Sequence, residues 1–125
     1  MFVRKRFIFT LMLAGIILAH PANAMSAKDY QKKYMGKNDK VISAMRLAYW
    51  DGAANSFATF DEWFEATKHK KLYCLPQNVI LNAKLLETLS DSHLKILIDR
   101  GESLEGWRMP DLALISLIEA FPCKK

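Results

Sequence analysis

Past the first two dozen residues, apolar side chains recur every three or four positions rather than every second one, and this spacing runs through nearly the whole chain. No Asn-Gly or Asp-Gly turn separates two alternating runs, so the pattern predicts an all-α domain, a small bundle of four to five helices. Met25 to Lys37 is polar and reads as a leader. Asn38 or Asp39 can cap the next helix, with Val41, Ile42, Met45, Tyr49, Gly52 and Ala53 along one side. Gly52 costs helix propensity and marks either the close approach of another element or a weak point. Thr59-Phe60-Asp61-Glu62 has the form of a capping box and predicts a new short helix through Thr67, carrying Trp63 and Phe64 and ended by Lys68-His69-Lys70-Lys71.

Cys74-Leu75-Pro76 is a turn, because Pro76 disfavours helix at the residue before it. From about Val79, Leu81, Leu85, Leu86 and Leu89 predict the next helix. Ser90-Asp91-Ser92 can interrupt it or cap a new start, and a break or kink is favoured there before Leu94, Leu97 and Ile98 continue to a Gly101 stop. Gly101 to Arg108 lacks periodicity and reads as a loop. Pro110 and Asp111 open a last helix, Asp111 to Phe121, apolar on most sides and ended by Pro122.

The N-terminus changes the compartment in which this bundle is expected to work. Arg4, Lys5 and Arg6 precede an apolar run from Phe7 to Ala19, and Ala22-Asn23-Ala24 supplies a small-residue cleavage pattern. Residues 1–24 therefore read as a cleaved export signal, its apolar run well short of the ~20 residues that span a bilayer. The mature chain, 25–125, fits one domain with a single core and no stable membrane insertion. The absence of a cysteine just after the cut argues against a lipid anchor.

Export also alters the charge. The full chain carries 18 basic and 13 acidic side chains, net +5; without Arg4, Lys5 and Arg6 the balance is 15 to 13, net +2. That is too little to imply nucleic acid, and the Lys68–Lys71 run lacks interleaved aromatics, so it reads as a solvated turn. Two cysteines in an exported chain predict a Cys74–Cys123 disulfide with a structural role. A metal pair is disfavoured because neither His69 nor His93 stands at a ligand spacing, and a thiol dyad because Cys74 has an obvious partner. With no nucleophile elbow, phosphate loop or dinucleotide fingerprint, the reading is of a binding protein that is not an enzyme and takes no cofactor.

Several short motifs, taken in order, point to a family. Tyr49-Trp50-Asp51-Gly52, the Cys74-Leu75-Pro76 turn, the Leu-rich helix and a last helix closing on Phe121-Pro122-Cys123 resemble the Rap/Tai family of periplasmic immunity proteins of bacterial type VI secretion. The resemblance spans about 45 to 123. It implies a small helical domain, often a homodimer, that sits in the periplasm and neutralises a peptidoglycan-degrading effector, in one branch a papain-like cysteine amidase. An acid-stress chaperone of the small, helical, single-disulfide kind is the alternative.

On that reading the loop Gly101 to Arg108 is the expected inhibitory element. Glu102 and Glu105 suit a cationic or donor-rich cleft, Ser103 and Leu104 lie between them, and Trp107 and Arg108 belong to types enriched at binding hot spots. The region from Asp61 to Glu65 is the expected second contact. The competing expectation is an ordinary connector with Trp107 turned inward. Trp50, Phe57, Phe60, Trp63 and Phe64 offer more aromatic surface than one short helix easily buries, which fits either a dimer contact or a filled monomer core.

Overall fold

A computed structural model describes residues 24–125, and the export signal read over residues 1–24 lies outside the described residues except for Ala24. Among the described residues the domain is all-helical: α1 (Ala27–Lys33), α2 (Lys40–Lys68), α3 (Ala83–Asp99) and α4 (Met109–Ala120). α3 lies between α2 and α4 and packs along both. An isolated antiparallel bridge between Ser26 and Arg108 ties the start of the domain to the start of α4.

The stretch expected to be a polar leader is part of the fold. Ser26 caps α1 by accepting from the Asp29 amide at 3.1 Å, and Ala27 and Tyr30 on the inner side of these roughly two turns are fully buried. The readable signal was Ser26-x-x-Asp29, a capping pattern ahead of an aromatic. A helix of only 7 residues has little stability of its own, so its packing, not its propensity, holds it.

Asp39 caps α2 through bonds from the Val41 and Ile42 amides at 2.9 and 3.2 Å. The helix then runs unbroken for 29 residues, and the capping box at Thr59 is overridden. Inside a continuing helix the amides already have carbonyl partners, so the Thr59 hydroxyl turns back and donates to Asn55 O at 3.0 Å. His69, in the left-handed region at φ 56°, ends it. The buried edge also differs from the expected stripe. Trp50 and Ala54 are buried, whereas Val41 and Met45 are 67% and 51% exposed. α2 has apolar residues on two separate faces, and spacing alone does not tell which of them meets α3.

α3 begins at Ala83, later than the Val79 expected, because Asn82 caps it by accepting from the Leu85 amide at 2.9 Å. Ser90-Asp91-Ser92 neither breaks nor kinks it into two helices. Ser90 is fully buried on the same face as Ala83, Leu86, Leu94 and Leu97, and its hydroxyl donates to Leu86 O at 2.6 Å, which satisfies it within the helix. Gly101, at φ 68°, closes α3 with amide bonds from Gly101 to Ile98 O and from Glu102 to Leu97 O, a Schellman arrangement. α4 starts at Met109 with Pro110 in its first turn, and contributes fully buried Met109, Leu112, Ala113 and Leu117. Cys74 and Cys123 are bonded across a Cα–Cα distance of 4.9 Å, and the Cys74 amide donates to Phe121 O at 2.8 Å.

Candidate functional site

The loop between α3 and α4 is built from both of its ends and from underneath. The Schellman closure fixes Gly101 and Glu102, and Gly106, at φ 80°, allows the return. The Trp107 amide donates to Leu104 O at 3.2 Å, Trp107 O accepts from the Ala27 amide at 2.9 Å, and the Met109 amide donates to Met25 O at 2.8 Å. Leu104 and Trp107 are half-buried against the core. Trp107 therefore does not protrude as a hot-spot side chain; it follows the inward-turned alternative and anchors the loop.

That anchoring leaves a defined tip. Glu102, Ser103 and Glu105 are exposed, and Ser103 Oγ accepts from the Glu105 amide at 3.2 Å, which stiffens the turn between the two carboxylates. Their charge partners are loose: Glu102 lies 3.9 Å from Arg100 and Glu105 3.9 Å from Lys28, with the Glu105 side chain 84% exposed. Exposed pairs of this kind contribute ~0–1 kcal/mol and exchange readily for other cations. Arg108 is held more firmly, by a two-pronged contact with Asp111 at 2.7 and 3.1 Å that raises its pKa further.

Asp61 and Glu65 stand elsewhere. Asp61 accepts from the Leu72 amide at 3.4 Å, Glu65 pairs with Lys71 at 3.3 Å, and Lys71 O lies 3.9 Å from Cys123 Sγ. They belong to the disulfide end of the domain, whereas the loop sits at the other end of α4. Those ends are about 18 Å apart along a helix of 12 residues. The structure does not bring the two expected contact regions into one patch. Of the aromatics on α2, Trp50 fills the core, Phe57 packs against it, and Phe60 and Trp63 are 45% and 55% exposed.

A polar cluster where α1 crosses α2 and α3 escaped the sequence reading. Tyr30 Oη donates to Asp91 Oδ1 at 2.7 Å and accepts from Trp50 Nε1 at 3.2 Å; beside it Arg46 Nε pairs with Glu87 Oε1 at 2.8 Å, both side chains mostly buried. Arg46 also donates to the carbonyls of Tyr34 and Lys37, fastening the α1–α2 turn. Burial raises the Tyr30 pKa, with Asp91 adding to it, and burial likewise raises that of Asp91 despite the Tyr30 hydrogen bond. At the disulfide end, burial pushes Tyr73 up to about 12.

The direction of the Asp91 shift has a testable consequence. A carboxyl whose pKa is raised on folding favours the fold most when protonated, so its contribution is full in acid and is lost as pH rises through the raised value. Stability of the native protein relative to Asp91→Asn, which cannot titrate there, is expected to rise as pH falls from about 7 to about 3. Thermal melts of both proteins across that range check it; a constant difference would show Asp91 to titrate alike in the folded and unfolded chain, and one that shrinks in acid would show that the fold favours its charged form.

Between α1 and α2 lies an apolar cleft of about 350 Å³, lined by Met25, Tyr30, Tyr34, Met45, Arg46, Ala48 and Tyr49. The Tyr49 hydroxyl is buried without a hydrogen-bond partner. Both cysteine sulfurs are committed to the disulfide, so no thiolate is present to pair with His69 or His93. Comparison with protein-family models, with curated proteins and with solved structures returns no match.

Proposed function

We propose that this chain is an exported, periplasmic inhibitor that binds a peptidoglycan-degrading type VI effector, a cysteine amidase by preference, and obstructs its cleft with the loop Gly101 to Arg108. The observation that carries the reading is the division of labour within the loop. Leu104 and Trp107 are turned into the core, while Glu102, Ser103 and Glu105 are held out on a stiff turn with weak charge partners. A preorganised tip loses little entropy on binding, and exposed carboxylates suit a cleft rich in cations or donors. The motif resemblance supplies the target class.

The loop's role is tested by replacing Glu102, Ser103 and Glu105 together by Ala. The triple variant is expected to keep its melting temperature, since none of the three is buried, and to lose at least about 30-fold in effector affinity and, with it, protection of cells that export the effector. Full protection by that variant at normal expression would move the inhibitory surface to another part of the domain.

A further inference from the structure

α2 outruns the core it serves. Phe57 is the last of its side chains to pack on that core, yet the helix continues to Lys68, so its final three turns project about 16 Å further. On this tip Phe60, Trp63, Phe64 and Thr67 follow one another at the steps of three and four that place side chains on one helical face. The rings are already assembled: centroids lie 5.8 Å apart for Phe60 and Trp63 and 6.0 Å for Phe60 and Phe64, with Phe60 and Trp63 45% and 55% exposed. The Thr67 hydroxyl donates to Trp63 O at 2.8 Å, which satisfies it within the helix. The stripe therefore carries no charge and no free hydroxyl to desolvate. Glu62 and Glu65 fall on the opposite side of α2, and Asp61 is engaged by the Leu72 amide.

The disulfide concentrates positive charge at the same end. Lys68, Lys70 and Lys71 are exposed where α2 stops, and Cys123 is held with its sulfur 3.9 Å from Lys71 O, so exposed Lys124 and Lys125 join them from a distant part of the chain. Lys71 pairs with Glu65. Among the described residues Lys68, Lys70, Lys124 and Lys125 make no ion pair.

We propose that this tip is a membrane-contact site, which adsorbs reversibly to a bilayer containing anionic phospholipid. Phe60, Trp63 and Phe64 enter the headgroup layer, and the four unpaired lysines meet lipid phosphates, their flexible stems letting the ammonium groups reach while the rings settle. The shape agrees with a flat partner: a small-molecule site is concave, whereas this one is convex and stands clear of the core. The placement of charge agrees as well, since the carboxylates of the tip lie behind the stripe. No described helix is long and apolar enough to cross a membrane, so the contact stays in the interface. The Gly101 to Arg108 loop is at the other end of α4, and the proposal does not rest on the inhibitor reading.

Partition of the domain, residues 25–125, onto large unilamellar vesicles tests this, read by co-sedimentation and tryptophan fluorescence. At about 50 mM salt, half of the protein is expected to bind vesicles of equal phosphatidylglycerol and phosphatidylcholine at about 1 mM lipid, and to leave them at about 500 mM salt. Pure phosphatidylcholine is expected to bind at least about tenfold less. Binding should shift the emission to the blue, and Trp63→Phe should bind without that shift, because Trp50 and Trp107 are already turned into the core. Replacing Lys68, Lys70, Lys124 and Lys125 by Gln is expected to weaken partition at least about 100-fold, at about fivefold per lysine, and Phe60→Ser with Trp63→Ser at least about tenfold. Neither set removes a buried side chain, so both variants should melt like the parent. No binding at about 10 mM anionic lipid, equal binding to neutral vesicles, or binding indifferent to either set of substitutions would overturn the proposal. Effector binding lost in the aromatic variant, with no vesicle binding by the parent, would assign the tip to a protein partner instead.

Discussion

Replacing Cys74 and Cys123 by serine is expected to lower the stability of the domain by about 4 kcal/mol, the chain-entropy value for closing a loop of this length. The bond joins residues 49 apart and fastens the end of α4 to the segment that leads into α3. Without it the pair of core helices keeps its packing but loses the constraint on the unfolded chain. A domain of this size has ~5–15 kcal/mol in total, so the loss is a large fraction. Urea titration of the double variant, or of the wild type with and without reductant, measures it. The loop from Gly101 to Arg108 lies at the opposite end of α4, so effector affinity at a temperature where the variant is folded is expected to be unchanged; a stability loss under about 1 kcal/mol would show the bond to be incidental.

A loss of about 3–5 kcal/mol is expected for Trp50→Ala. Trp50 is fully buried and meets Tyr30 and Tyr49 edge-on, with ring centroids 5.6 and 5.0 Å away. Its indole N–H also supports the Tyr30 hydroxyl that reaches Asp91, so truncation both opens a cavity and leaves a polar group short of a partner. Trp63, on the same helix but 55% exposed, is the control: its replacement by Ala should change monomer stability by no more than about 0.5 kcal/mol. Equal effects of the two substitutions on chemical denaturation would mean that the core is not centred where α1 crosses α2.

The contrast between these tryptophans shows where the sequence was legible. Signals that act within a few residues read correctly: a cap at Asn38 or Asp39, of which the structure uses Asp39, the Gly101 stop, and Pro110 in the first turn of α4; the cysteine pairing, across 49 positions, was legible because the chain holds only two cysteines. Signals that tertiary packing can override did not. Thr59 has the chemistry of a cap but lies inside a helix already propagating, and Ser90 looks like a breaker but bonds to its own helix and goes into the core. α1 was missed because seven residues carry too weak a periodic signal, although Tyr30 is among the largest buried side chains.

The same distinction holds for the candidate site. The existence and limits of the Gly101 to Arg108 loop were legible in its glycines and its lack of periodicity. The inward turn of Leu104 and Trp107 was not, because it depends on Met25 and Ala27, far away in the chain, receiving and supplying the loop's backbone bonds. The separation of Asp61 and Glu65 from the loop was equally hidden, since it arises from α2 running straight past Thr59 to the disulfide end. The half-buried Tyr30–Asp91 contact spans 61 positions and leaves no local trace.

The most direct test of the inhibitor reading is the hydrolysis of peptidoglycan peptides by purified type VI cysteine amidases at neutral pH while the domain, residues 25–125, is titrated in. Activity of one amidase is expected to fall to near zero at about one equivalent, and the Glu102, Ser103 and Glu105 triple-alanine variant to need at least about 30-fold more protein for the same effect. Undiminished activity of every amidase in the presence of excess protein would contradict the account.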